Sequence, residues 1–315
     1  MLVRRLLALL LVSVSIAGSG AAGAKPSALY VFGDSLVDAG NLDLAVGSDV
    51  FNPAVQGYFP GRFTNGPVYT DLLNQRLFGV LMTPSLAGGS NYAFADARAV
   101  DIGGPIPGLG AQLGAYFTAS GGYADPNALY VLNFGGNDVF GLEDNNIGVL
   151  TPDAYAALFT GNILGAVQQL NAAGARNILV AGVPVLDLVG AALDAKLQAG
   201  LDSISLTFIG KLRRLDYQGL YPALLADPAA FGLPAFVDTA NPCIATRPVV
   251  NGAVNCSGYL FFDDVHPTAE VQAAIYRQVV AVAGVPEPAE WALMIVGLGL
   301  TGAALRSRRA TRLAA

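Results

Sequence analysis

A serine, a histidine and a carboxylate at the ends of apolar runs can break or transfer an acyl bond, and this chain offers one way to assemble them. Ser35 follows Leu29-Tyr30-Val31-Phe32-Gly33-Asp34, which reads as a short buried strand whose glycine lets the backbone turn. Open α/β sheets hold their ligands at the carboxyl ends of such strands. The chain has one histidine, His266, with Asp263 three residues earlier in Phe262-Asp263-Asp264-Val265-His266-Pro267-Thr268. Any Ser–His chemistry must use it. In that chemistry Ser35 Oγ attacks a carbonyl carbon, His266 takes the proton and Asp263 holds the ring in the right tautomer. Asn137 follows a second apolar run, 128–134. Its amide can join the Ser35 N–H against the charge that develops on the carbonyl oxygen, one such donor being commonly worth about 3 kcal/mol.

The elements that must position these groups follow from periodicity. Residues 29–33, 128–134 and 177–183 are continuous apolar runs ended by Gly, Asn or Pro, as expected of strands buried on both faces. A short strand is also expected within 90–97 and a last one at 235–238. Helices are expected from Pro67 to about 78, near 111–117, over 152–173, after Pro184 through about 215, over 220–225 and over 268–282. The long stretch 37–69 shows no sustained period and reads as a loop over the sheet's carboxyl edge. Strands alternating with helices imply an α/β fold with a parallel sheet covered on both faces. The loops bearing Ser35, Asn137 and His266 then open on one edge, where they can meet in one cleft.

Four blocks carry a resemblance. They are Phe32-Gly33-Asp34-Ser35-Leu36-Val37-Asp38-Ala39-Gly40-Asn41, Arg62-Phe63-Thr64-Asn65-Gly66-Pro67-Val68-Tyr69-Thr70-Asp71, Gly135-Gly136-Asn137-Asp138 and Asp263-Asp264-Val265-His266-Pro267-Thr268. In this order they resemble the GDSL lipase/esterase family of the SGNH hydrolase superfamily. The resemblance covers about 28–283 and implies a three-layer α/β/α, flavodoxin-like sandwich that hydrolyses carboxylic esters or transfers acyl groups. It implies Ser35 as nucleophile, His266 as base, Asp263 as its partner and Asn137 as an oxyanion donor. A further backbone N–H is implied at Ala95, in Asn91-Tyr92-Ala93-Phe94-Ala95-Asp96-Ala97. There the family's usual pair of glycines is missing, and non-glycine residues resist a positive φ. Asp96 also sets a carboxylate near the expected oxyanion.

Composition narrows the class. The chain has 315 residues, 53% of them hydrophobic, enough for one large core. Its net charge of −6 understates the acidity of the middle, because Arg4, Arg5, Arg306, Arg308, Arg309 and Arg312 lie in the end segments. So acidic a body repels phosphate backbones, and no nucleic-acid partner is expected. Residues 1–24 read as a signal peptide, with a basic start, an apolar run and Ala22-Gly23-Ala24 as cleavage site, an uncleaved anchor being the alternative. Export permits a disulfide, and the two cysteines, Cys243 and Cys256, flank a Pro/Asn/Gly-rich loop that one bridge would close. With two cysteines and one histidine, no metal and no cofactor are expected.

Residues 25–284 then form the hydrolase domain. The tail 285–315 runs from Val285-Pro286-Glu287-Pro288 through the apolar stretch 291–305 to Arg306-Ser307-Arg308-Arg309. That stretch is shorter than the roughly 20 residues that span a bilayer comfortably, and it is expected to be a short transmembrane helix that meets the membrane before processing, its arginines on the cytoplasmic side. The tail resembles a PEP-CTERM sorting signal, which implies an exosortase-type processing partner, a Gram-negative source and an envelope or extracellular-matrix location. A plain tail anchor is the alternative. The expected activity is an exported serine esterase or lipase acting on an ester or acylated glycan. An acyltransferase or polysaccharide deacetylase using the same residues is one alternative, and a catalytically degenerate glycan-binding envelope protein is the other.

Overall fold

The computed structural model describes residues 25–284. The expected signal peptide and sorting tail lie outside the described residues. Four strands, β1 (Leu29–Gly33), β2 (Leu129–Asn133), β3 (Asn177–Ala181) and β4 (Lys211–Leu215), pair in parallel in the order β1-β2-β3-β4. The helices are α1 (Asn41–Val46), α2 (Tyr69–Phe78), α3 (Leu109–Ser120), α4 (Gly136–Glu143), α5 (Pro152–Ala173), α6 (Leu188–Ser205), α7 (Tyr217–Ala226), α8 (Cys243–Thr246) and α9 (Ala269–Ala283). Among the described residues no helix is long and apolar enough to cross a membrane.

The two-residue period of a strand explains why the runs are apolar throughout. Tyr130 and Leu132 of β2, with Ile178 and Val180 of β3, enter a core built with Leu113 of α3, Phe159 and Val167 of α5 and Leu197 of α6. The alternate residues face the other layer. There Asn133 Oδ1 accepts hydrogen bonds from Tyr69 of α2 at 3.0 Å and Tyr217 of α7 at 2.9 Å. Both faces are therefore dry, and the fold is an α/β sandwich with a parallel sheet.

Four expectations change. Helix α1 forms within 37–69, expected to be a loop. Residues 90–97 form no strand; Asn91 makes single bridges to Val31 and Pro84. No strand forms at 235–238 either, where Asp238 makes one bridge to Tyr259. The fourth strand is instead Lys-Leu-Arg-Arg-Leu, expected to be helical. It pairs on one side only, so charged side chains stay wet along it, and Arg214 reaches Asp202 at 2.7 Å.

Candidate active site

Gly33 ends β1, and the backbone turns at once. A Cβ on Gly33 would lie 2.5 Å from Val37 and 2.6 Å from the Asn133 carbonyl, so only glycine fits this close approach. Asp34 organises the turn. Its Oδ1 accepts from the Leu36 N–H at 3.0 Å, and its carbonyl accepts from Val37 at 3.1 Å and Asp38 at 2.9 Å. The Ser35 N–H, between them, donates to no group among the described residues.

The last loop before α9 folds back on itself, the Phe262 N–H donating to the His266 carbonyl at 2.7 Å. Asp263 closes this loop through Oδ1, which accepts the N–H groups of Val265 at 3.1 Å and His266 at 2.8 Å. The same carboxylate meets His266 Nδ1, with Oδ1 at 2.9 Å and Oδ2 at 2.8 Å. Burial acts to raise the Asp263 carboxyl, but the hydrogen bonds and charge of His266, with the two backbone donors, hold it below the usual carboxylate value. His266 Nε2 lies 2.7 Å from Ser35 Oγ. The structure thus brings Ser35, His266 and Asp263 into one hydrogen-bonded row.

Asn137 stands in the first turn of α4 and lines the same cleft as Ser35 and His266. One of its amide hydrogens goes to the Ala97 carbonyl at 3.0 Å, which orients the side chain and leaves the second hydrogen for a ligand. Its neighbour Asp138 fixes that geometry by accepting the N–H groups of Ala99 and Val100 and the hydroxyl of Tyr155.

Ala95 needs correction. Its N–H is donated to Asp38 Oδ2 at 2.9 Å, so it is not free to meet an oxyanion. The next residue offers the free group. Ala97 donates to the Phe94 carbonyl at 3.2 Å and Asp96 has φ 65°, as at the third position of a type II turn, and the Asp96 N–H donates to no group among the described residues. Asp tolerates the left-handed region better than most residues with a Cβ, so the turn survives the loss of glycine.

Several residues in the quoted blocks had no expected role and prove to join the loops. Asp38 also accepts N–H groups of Gly40, Asn41 and Leu42, capping α1. Asn41 donates to the carbonyls of Asn91 and Ala93, and Asn91 returns a bond to the Val37 carbonyl. Cys243 and Cys256 are bridged, with Cα atoms 5.4 Å apart. The bridged segment supports the histidine loop, Cys243 and Ile244 donating to the carbonyls of Phe261 and Phe262.

Ser35 and His266 open into a cleft of about 890 Å³, with Leu42, Phe51, Phe94, Ile106, Phe140 and Val185 among its walls. Among the described residues no lysine or arginine lines it. No cluster of three His, Cys, Asp or Glu that could hold a metal ion occurs among the described residues.

A hydroxyl, an imidazole and a carboxylate in a row at the carboxyl edge of a parallel α/β sheet, above an apolar cleft, form the arrangement that the serine-hydrolase class uses. Within it, the model of the GDSL-like lipase/acylhydrolase family matches residues 29–279, and the chain belongs to that family. A GDSL esterase/lipase of Arabidopsis thaliana is 26% identical over 309 residues, covering 81% of this chain and 88% of its own. Esterase EstA of Pseudomonas aeruginosa is 30% identical over 326 residues, covering 85% of this chain but 48% of its own, so this chain spans about half the length of that relative. A phosphatidylcholine-sterol acyltransferase of Aeromonas hydrophila is 24% identical over 314 residues, covering 81% of this chain and 90% of its own. The family and these relatives support a hydrolase of esterase/lipase type.

Proposed function

We propose that this protein is an exported serine esterase that cleaves carboxylic esters through an acyl-enzyme on Ser35. The observation that carries the reading is the 2.7 Å contact between Ser35 Oγ and His266 Nε2. As Oγ attacks the ester carbon its proton passes to Nε2, and the imidazolium so formed is stabilised by Asp263 against Nδ1. The carbonyl oxygen gains negative charge and is met by the N–H groups of Ser35 and Asp96 and the free amide hydrogen of Asn137. The tetrahedral adduct collapses, the alcohol leaving with the proton from Nε2. Water then repeats the sequence on the acyl-enzyme, and the acid departs.

The apolar cleft supports an uncharged ester whose acyl or alcohol part is largely hydrocarbon. The Cys243–Cys256 bridge supports work outside the inner membrane, since disulfides persist in oxidising compartments. Export through residues 1–24 and sorting or anchoring through 285–315 by an exosortase-type enzyme complete the reading, with an envelope or matrix location. A second reading, transfer of the acyl group to an alcohol other than water, is favoured by the relative named as a sterol acyltransferase. Product analysis with an added alcohol separates the two.

The direct test is intact-mass labelling with a fluorophosphonate. One adduct on the wild type and none on a folded Ser35→Ala variant is the expected result. A folded wild type that takes no label would overturn the reading.

A further inference from the structure

The Arg62 to Asp71 block carries no group in the reaction above, yet the segment leading into it reaches the site. Tyr58 donates its hydroxyl to Asp263 Oδ2 at 3.0 Å, across 205 positions of sequence. The carboxylate divides its partners: Oδ1 holds the two backbone N–H groups of its own loop, while Oδ2 has only Tyr58 besides the ring nitrogen.

The segment bearing Tyr58 is held at several points. The Phe59 N–H donates to the Thr64 carbonyl at 2.7 Å, and the Arg62 N–H to the Phe59 carbonyl at 2.9 Å. Arg62 grips Asp71 with two bonds, 2.9 and 2.7 Å, and also donates to the carbonyls of Pro60 and Met82. Thr64 Oγ1 donates to the Pro267 carbonyl at 2.7 Å, tying the segment to the residue after His266. A hydroxyl delivered from so fixed a frame is a built contact.

Rings enclose it. Tyr58 stands edge-on to Phe262 with centroids 4.7 Å apart, and Phe63, beside Tyr58, packs against the His266 ring at 5.4 Å. Burial, then the charges of Asp263 and Asp264, push the Tyr58 hydroxyl far up, so it remains a donor throughout the working pH range. The titratable groups facing it are therefore Asp263, Asp264 and, through Asp263, His266.

We propose that Tyr58 is a positioning residue that orients Asp263 and dilutes its charge, setting how strongly the carboxylate pulls on the His266 ring proton. The inference rests on the acyl-transfer reading of Ser35, His266 and Asp263. Without the hydroxyl, Oδ2 leans on Nδ1 alone, the Nδ1–H bond strengthens, and the imidazolium persists to higher pH.

Tyr58→Phe removes the hydroxyl and keeps the ring. In the full chain without a polyhistidine tag, His266 is the single histidine. Its hydrogen-bonded Nδ1–H proton is followed by NMR, where a downfield displacement in the variant is expected. With p-nitrophenyl butyrate as probe, the acid limb of kcat/KM is expected to move up by about half a pH unit. In an Asp263→Asn background the same change should have little further effect, because Tyr58 acts through Asp263. An unmoved Nδ1–H signal and acid limb, or an equal loss in both backgrounds, overturns the proposal. The NMR signal needs no turnover, so a wild type with no esterase activity would sink the acyl-transfer reading while this contact is still judged separately.

Discussion

His266 Nε2 lies 2.7 Å from Ser35 Oγ although 231 positions separate the two residues. If this contact makes the serine a nucleophile, His266→Ala should leave the fold intact and lower kcat/KM for an ester by about 10⁴-fold or more. Activity within tenfold of wild type, measured on a sample of unchanged circular dichroism, would assign the base to another group.

Asp96 holds φ 65° with a Cβ and is among the residues that line the cleft. Asp96→Gly should raise stability to urea by about 0.5–1 kcal/mol by easing the left-handed backbone. Asp96→Asn should raise kcat/KM several-fold, because it removes charge that opposes the developing oxyanion while keeping the turn. Equal or lower turnover in Asp96→Asn would show that the carboxylate does not act on the reaction.

Asp34 is fully buried, and its Oδ2 has no hydrogen-bond partner. Burial pushes its carboxyl up to about 7 from the ordinary 3.8; the Leu36 N–H opposes this, and the charges of Asp138 and Asp38 add to it. Between about pH 4 and pH 7 the folded chain thus keeps a proton that the unfolded chain has released. The stability this group contributes is complete below about pH 4 and is lost as pH rises through about 7. Asp34→Asn does not titrate. Its stability relative to wild type should therefore climb by about 1.4 kcal/mol per pH unit across that window and level off above it. Urea unfolding at pH 4 to 8 reads this, and a constant difference would mean that Asp34 ionises as in water.

Arg62 and Asp71 form a buried pair, their side chains 10% and 0% exposed. Removing one partner leaves the other charged and dry, so Arg62→Ala should cost about 3–5 kcal/mol in denaturant unfolding. A loss under 1 kcal/mol would mean that water reaches Asp71 once the guanidinium is gone.

The bridge between Cys243 and Cys256 closes a short loop whose backbone supports the segment before Asp263. Replacing both cysteines by serine should cost about 2–4 kcal/mol. Turnover should fall as well, since the loop backs Phe261 and Phe262. Unchanged melting and unchanged turnover would show that the bridge closes a loop already held by its hydrogen bonds.

The sequence alone determined what depends on local order. Strands β1 to β3 were legible because burial on both faces of a parallel sheet demands uninterrupted apolar runs, and α5 because its apolar residues recur at helical spacing. The four blocks also marked Ser35, Asn137, Asp263 and His266, since each lies shortly after a strand or before the last helix. Tertiary structure decided the rest. Strand β4 carries Lys211, Arg213 and Arg214 because an edge leaves charged side chains wet, so it lacks the signal of its neighbours. Ala95 looked free until folding set Asp38 against its N–H, which passed the open donor to Asp96. Tyr58 meets Asp263 only because Arg62, Thr64 and Asp71 fix a loop that has no period of its own. Periodicity records which face of an element is buried, whereas a contact between loops depends on how the sheet carries their ends together.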